Sequence, residues 1–412
     1  MLISFQLHSI LDLVFNSNKL ILFKLNATPP RKYGIWLPVI GILQLIIVFA
    51  SCSNQPRVNE VRDEHQHSKT MSCYAEGFSL YDEGTYKKLV INNPWQSDEI
   101  LFACYLVPDS IEFSAPDESI SVLRTPVKNV VCFSSTQWTG FYLLGGISNV
   151  SGISETSYVV NEEVQEMIKS GEIVEVAANG LIKNEMLLNL QPDLILYTPS
   201  QTGYEAILDR TGAWLMPWPD YFETDPLGRA EWIKVCGALL QKDNLADSLF
   251  VDVERQYNES KRLASEVQYK PTIFADKQYS GQWFIPGGKS YVARFLADAG
   301  ANYLWAANES KASFPTDIEA VMSKAAEADF WRIAHAAPKG YSYKNLAQEY
   351  ELYTTFKAFQ ERKVIFCNTS TSGYFEKGTY EPHVQLADLI SCLHPGLIHG
   401  HVPVYYTMLE DH

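Results

Sequence analysis

The sequence predicts an α/β protein: two Rossmann-like lobes with central parallel sheets, joined by one long α-helix, behind a small β-rich N-terminal preface. Three observations carry this reading. From Val127 onward, short apolar runs alternate with helical segments, the rhythm of a parallel sheet covered by helices on both faces. Between 228 and 268 Pro is absent, and Leu239, Leu240, Leu245, Leu249 and Val253 follow helical spacing that Tyr257 and Leu263 extend. After Pro271 the strand–helix alternation resumes.

The elements follow in order. Lys87–Asn92 and Ile100–Val107 are β-rich runs bounded by Asn, Pro and Asp, and form the preface. Asn129–Phe133 is an apolar strand leading to the loop Ser134–Trp138 and a helix through Leu144. Ile173–Val176 is a strand, Asn184–Leu190 a helix that must end before Pro192, and Asp193–Tyr197 a buried strand. Glu205–Thr211 reads as helix and Trp214–Pro217 as strand. The connecting helix runs from about Asn244 to Val267. Beyond it come Thr272–Asp276, the Ser290–Ala299 helix, Ile318–Ala325, Phe330–Ile333, Leu352–Gln360, Val364–Cys367 and His383–Leu393.

The first fifty residues differ from the rest. Arg31 and Lys32 precede an apolar run from Ile35 to Ala50, which ends at Phe49-Ala50-Ser51-Cys52. A short basic segment, an apolar core and small residues before a cysteine describe an export signal resembling a lipobox, with Cys52 as the lipidated residue. The run is short for a membrane span. Residues 53–72 are polar and aperiodic, a tether in which His65 and His67 are expected to be inert. The expected organisation is 1–51 export segment, 52–73 tether, 74–124 preface, 125–240 first lobe, 241–269 connecting helix and 270–412 second lobe.

A formal net charge of −15 argues against nucleic acid as a partner, because phosphate contact wants clustered Lys and Arg. The cysteines after Cys52 (73, 104, 132, 236, 367 and 392) are scattered, with no C-x-x-C pair, so neither a zinc site nor a dense disulfide scaffold is indicated; sequence alone pairs none of them, and buried free thiols are expected for most. No His-Glu-x-x-His or Gly-x-Ser-x-Gly supports the rival reading, an exported metal-dependent or nucleophile-based hydrolase.

The stretch Asn184-Glu185-Met186-Leu187-Leu188-Asn189-Leu190-Gln191-Pro192-Asp193-Leu194-Ile195-Leu196 resembles the "E-x-L-L-x-L-K-P-D-L-I" signature of the helix-backbone (class III) periplasmic binding proteins. These carry ferric siderophores, haem and vitamin B12 to ABC importers. Tyr221–Trp232 and Trp283–Tyr291, followed by Asp298-Ala299-Gly300, are similar to further stretches of that family. The resemblance spans roughly residues 125–400 and does not cover the preface.

The resemblance implies a non-enzymatic, monomeric carrier, with no resident cofactor, lipid-anchored in the periplasm or at the cell surface. Its ligand would be an iron chelate, haem or cobalamin, held between the lobes at the carboxyl ends of the strands. Trp138, Trp218, Tyr221, Tyr279, Trp283, Tyr374 and Phe375 all follow strands in that sense and are the candidate wall. Arg294 and Lys277 are the cations weighed for an anionic ligand. The family docks on its permease through one carboxylate per lobe, which points by register to Glu205 and, in the second lobe, to Glu349 or Glu351. A stand-alone surface receptor without an importer is the remaining alternative. His394, His399 and His401 have a spacing that permits metal, yet His394-Pro395 resembles the family's closing segment, remote from the cleft, so no metal is expected.

Overall fold

The structure, a computed structural model, describes residues 69–96, 98–199 and 205–411. The export segment, Cys52, His65 and His67 lie outside them.

Three sheets and a small hairpin layer make up the described chain. The preface is a five-stranded sheet in sequential order: β1 (Lys69–Thr70), β2 (Phe78–Asp82), β3 (Lys87–Asn92), β4 (Ile100–Pro108) and β5 (Ser121–Thr125). β1 to β4 are antiparallel neighbours, while β5 joins β4 in parallel. Phe78, Leu80, Leu89, Ile91, Cys104 and Leu106 are buried in the same core as the first lobe, so the preface is packed onto that lobe.

The first lobe holds β6 (Val130–Cys132), β7 (Val150–Ser154), β8 (Val174–Ala178), β9 (Leu181–Ile182), β10 (Leu194–Tyr197) and β11 (Trp214–Pro217), in the order 11-10-6-7-8-9. All neighbours are parallel except the β8–β9 edge pair. The family-like stretch folds as its residues dictate. The Asn184–Leu190 helix stops at Gln191, which takes a left-handed φ of 45°, and Pro192-Asp193 then feeds β10.

In the second lobe, β12 (Thr272–Ala275), β15 (Asn302–Tyr303), β17 (Phe330–His335), β18 (Val364–Asn368) and β19 (Thr407–Met408) are ordered 15-12-17-18-19, with only β19 antiparallel. β13 (Gln278–Tyr279), β14 (Gln282–Ile285) and β16 (Phe314–Thr316) form a separate antiparallel layer that alternation alone does not reveal. The connector is one 23-residue helix, Asp243–Ser265, burying Ala246, Phe250, Tyr257 and Ala264. The stretch before it is split into Pro226–Ala230 and Ile233–Leu240, and Gln241, at a left-handed φ of 56°, ends the second of these ahead of the connector.

One apolar core runs through the preface and both lobes, and the C-terminal helix Pro382–Leu393 packs against the connector. Continuous packing of this kind resists hinge motion. His383 on that helix, and His335 at the end of β17, are each pushed down to about 4, mainly by burial. An unfolded histidine titrates near pH ~6.5. Between about 4 and ~6.5 the unfolded chain therefore binds more protons, and stability falls as pH drops through that window. A loss on the order of 2 kcal/mol per histidine is expected, after discounting for partial exposure. Urea denaturation from pH 7 to 4 checks this; His383→Gln should shallow the slope, and an unchanged slope would contradict it.

Candidate functional site

The carboxyl ends of the two sheets face each other across the lobe junction, where the segment after β6 meets that after β18. On the first-lobe side, the chain leaving β11 makes a short turn at Asp220–Phe222 and enters the Pro226–Ala230 helix. Asp225 Oδ1 caps that helix by accepting from Leu227 N at 2.9 Å, with Pro226 in its first turn. The helix turns Arg229 inward. Its guanidinium carbon lies 5.7 Å from the Tyr221 ring centroid and 5.3 Å from that of Tyr291, a second-lobe residue. Its Nε stands 3.7 Å from Asp220 Oδ2 and, among the described residues, has no hydrogen-bond partner.

The second lobe supplies a buried counterpart. Arg332 sits mid-strand in β17 and is only 4% exposed. Its Nη1 donates to Asp276 Oδ1 at 2.8 Å, and its Nη2 donates to the Tyr406 hydroxyl at 2.5 Å and the Tyr374 hydroxyl at 3.4 Å. Burial raises the Asp276 and Asp220 carboxyls above their ordinary range, and the neighbouring arginines oppose that rise. The two Arg–Asp pairs leave the crevice near formal neutrality. What it presents is oriented donors: guanidinium N–H groups and tyrosine hydroxyls. Such forks suit carboxylate, catecholate or hydroxamate oxygens.

Within the second lobe, Arg332, Tyr291, Tyr374 and Tyr406, with apolar side chains such as Phe295 and Leu389, line a packing gap too small for a water molecule. Contacts across the lobes hold their facing rims together. Ser135 Oγ donates to Phe375 O at 2.6 Å, and Val160 N donates to Glu376 Oε1 at 2.6 Å. The Tyr380 hydroxyl donates to Thr136 O at 2.7 Å, and Arg294 Nη2 pairs with Asp225 Oδ2 at 3.3 Å.

The structure sorts the sequence-derived candidates. Tyr221 and Phe375 are 49% and 46% exposed, and Tyr374 lines the gap beside Arg332. Tyr279 is half-buried on β13. Trp138, Trp218 and Trp283 do not line the crevice; each is at most 1% exposed. Trp138 falls inside the Ser135–Leu143 helix, which begins earlier than expected and turns that face into the core. Trp218 packs on Trp232 at 4.7 Å, and Trp283, at the centre of β14, joins Phe274, Trp331 and Phe356. In each case apolar packing claims the indole.

Of the cations weighed, Lys277 is drawn to Glu349, and Arg294 is spent on Asp225 and Asp298. Glu349 also accepts from the Tyr341 hydroxyl at 2.8 Å, so its carboxylate is committed within the lobe and Glu351 is the exposed alternative. Glu205 opens the Glu205–Leu208 helix, and its side chain lies outside the described residues. His401 Nε2 meets Asp388 Oδ1 at 2.5 Å and His394 Nε2 meets Ala299 O at 3.1 Å. Both rings are occupied by these structural contacts. The described cysteines are free, and all but Cys73 are buried.

Arg229 and Arg332 are the functional candidates that sequence reasoning passed over. A signal existed for Arg332, a lone cation inside the apolar strand Phe330-Trp331-Arg332-Ile333.

Residues 130–371 match the profile of the family described as "Periplasmic binding protein". The chain is 22% identical over 403 residues to an uncharacterized lipoprotein of Methanocaldococcus jannaschii, covering 88% of this chain and 94% of the relative. Among solved structures, a periplasmic heme binding protein of Pseudomonas aeruginosa superposes with a TM-score of 0.54 at 16% identity, over 69% of this chain and 98% of that one. An ABC-type Fe3+-hydroxamate transport system protein of Saccharomonospora viridis gives 0.52 at 14% identity, over 65% and 94%. These likenesses support the two-lobe α/β fold. With more than half its length matched and two sheet-based lobes joined by a long helix, the chain belongs to the periplasmic binding protein family.

Proposed function

We propose that this chain is the exported, lipid-anchored substrate-binding subunit of an ABC importer, and that its cargo is an anionic ferric chelate. The observation that carries this is the pair of arginines, Arg229 from one lobe and Arg332 from the other, converging on a tyrosine-lined crevice. Ionised oxygens of a chelate would accept from these forks, and the rings would bury its flat faces. The names of two structural neighbours, one a heme binding protein and one of a Fe3+-hydroxamate transport system, support the iron-chelate class. The relative named a lipoprotein supports anchoring through Cys52.

Capture requires the lobes to part, since hydrogen bonds and an ion pair join their rims. The shared core favours a small opening made by releasing the rim contacts, followed by reclosure on the ligand. Docking on the permease then falls to Glu205 on the first lobe and Glu351 on the second.

Tryptophan fluorescence of the purified chain, titrated with ferric tris(2,3-dihydroxybenzoate), a ferric hydroxamate, haem and cobalamin, tests the reading. Micromolar or tighter binding is expected for a ferric chelate. Binding of cobalamin alone would displace the anionic-chelate assignment, and no response to any of the four would sink it.

A further inference from the structure

The preface lies before the family-matched residues 130–371, yet it reaches the rim of the crevice. The loop between β3 and β4 places Trp95 against Phe222, with ring centroids 5.2 Å apart in an edge-on arrangement. Phe222 in turn meets Tyr221 at 5.8 Å, and Tyr221 is the ring under Arg229. An unbroken line of side chains therefore runs from the crevice cation outward to the preface. The outer rings remain open: Trp95 is 40% exposed and Phe222 36%.

The loop that carries Trp95 is fastened. Asn93 Oδ1 accepts from Trp95 N at 2.9 Å, and Asn93 N donates to Glu99 O at 2.9 Å. At its base, Asn92 N donates to Gly77 O at 2.9 Å and Asn92 Nδ2 to Glu76 O at 2.8 Å. Glu76 and Gly77 are themselves held by Glu223, the residue after Phe222, which accepts from Glu76 N at 2.9 Å and Gly77 N at 2.8 Å. A Cβ at Gly77 would stand 2.9 Å from that carboxylate, so glycine permits the close approach. Preface and first-lobe rim are thus tied together by hydrogen bonds. Lys311 of the second lobe pairs with Glu76 at 2.9 Å, which brings the opposite rim to the same place.

We infer that Trp95 extends the ligand site, forming with Phe222 and Tyr221 an aromatic lip that grips the outer aromatic face of a bound chelate. The inference rests on the proposed binding role and adds to it a specificity element: a preference for chelates whose ligand arms carry aromatic rings. The three rings follow one another outward from Arg229, the first-lobe cation assigned to the ligand. Large, stiff, half-exposed aromatics bury area on binding at low entropic cost.

The test compares two iron complexes of known chemistry, ferric tris(2,3-dihydroxybenzoate) and ferric tris(acetohydroxamate), which lacks aromatic rings. Trp95→Ala is expected to weaken the first by about three- to tenfold, the size of one aromatic contact, and to leave the second unchanged. Trp95→Phe should restore most of the loss, and saturation with the aromatic chelate should shield the wild-type protein from iodide quenching. Equal affinity of Trp95→Ala and wild type for the aromatic complex would overturn the lip while leaving the binding role standing. Failure of the wild-type chain to bind either complex would overturn both.

Discussion

Replacing Arg332 by alanine is expected to lower the unfolding free energy by about 3–5 kcal/mol and to abolish measurable chelate binding. Arg332 is 5% exposed at its side chain and serves Asp276, Tyr406 and Tyr374 together. Truncation leaves the Asp276 carboxylate, already raised by burial, without its counter-charge, and leaves a void beneath two tyrosines. Part of the cost can be relieved by protonating Asp276, so the deficit should shrink at mildly acidic pH. Arg332→Met separates the two effects: it restores volume and some stability, yet lacks the donors and should remain unable to bind. Urea denaturation paired with titration of ferric tris(2,3-dihydroxybenzoate) reads both. A stable alanine variant that still binds would contradict the role assigned to the residue.

The second large effect concerns how the preface is attached. Glu231 is fully buried, and its carboxylate accepts from Cys73 N at 2.9 Å, Tyr74 N at 2.8 Å and Ala75 N at 3.0 Å. Lys234 Nζ pairs with it at 2.9 Å and also donates to Met71 O at 2.8 Å. One side chain therefore fastens residues 71–75 to the first lobe. Glu231→Ala orphans three amides and strips the Lys234 ammonium of its counter-charge, and a loss of about 3–5 kcal/mol is expected. Limited proteolysis should then cut within 71–77, where the wild type resists. Glu231→Gln keeps an acceptor oxygen and should fall between the two. If the alanine variant melts with the wild type and resists protease, the attachment lies elsewhere.

Periodicity made the scaffold legible. The connector expected from Asn244 to Val267 is the Asp243–Ser265 helix, and the Glu185–Ile195 stretch folds as its Pro192 break requires. What sequence could not supply was the direction of individual side chains. Trp138, Trp218 and Trp283 follow strands just as Tyr221 and Tyr374 do, but loop position does not reveal that an indole turns inward to pack. Apolar burial wins for tryptophan because its area is large, while the tyrosine hydroxyls stay where arginines can meet them. Arg229 escaped because it reads as an ordinary charge until the fold sets it opposite Asp220, and Arg332, though legible as a lone cation in an apolar strand, gains its role only once Asp276 faces it. The contacts that hold the lobes against each other, such as Val160–Glu376, join residues more than two hundred positions apart. Long-range pairing of that kind leaves no local trace.

The most direct measurement is equilibrium titration of ferric tris(2,3-dihydroxybenzoate) into the wild-type chain and Arg229→Gln side by side, with melting curves for both. Micromolar or tighter binding by the wild type is expected, and at least hundredfold weaker binding by a variant that still melts cooperatively. Equal affinity in the two proteins, or none in the wild type, would contradict an arginine-gripped anionic chelate between the lobes.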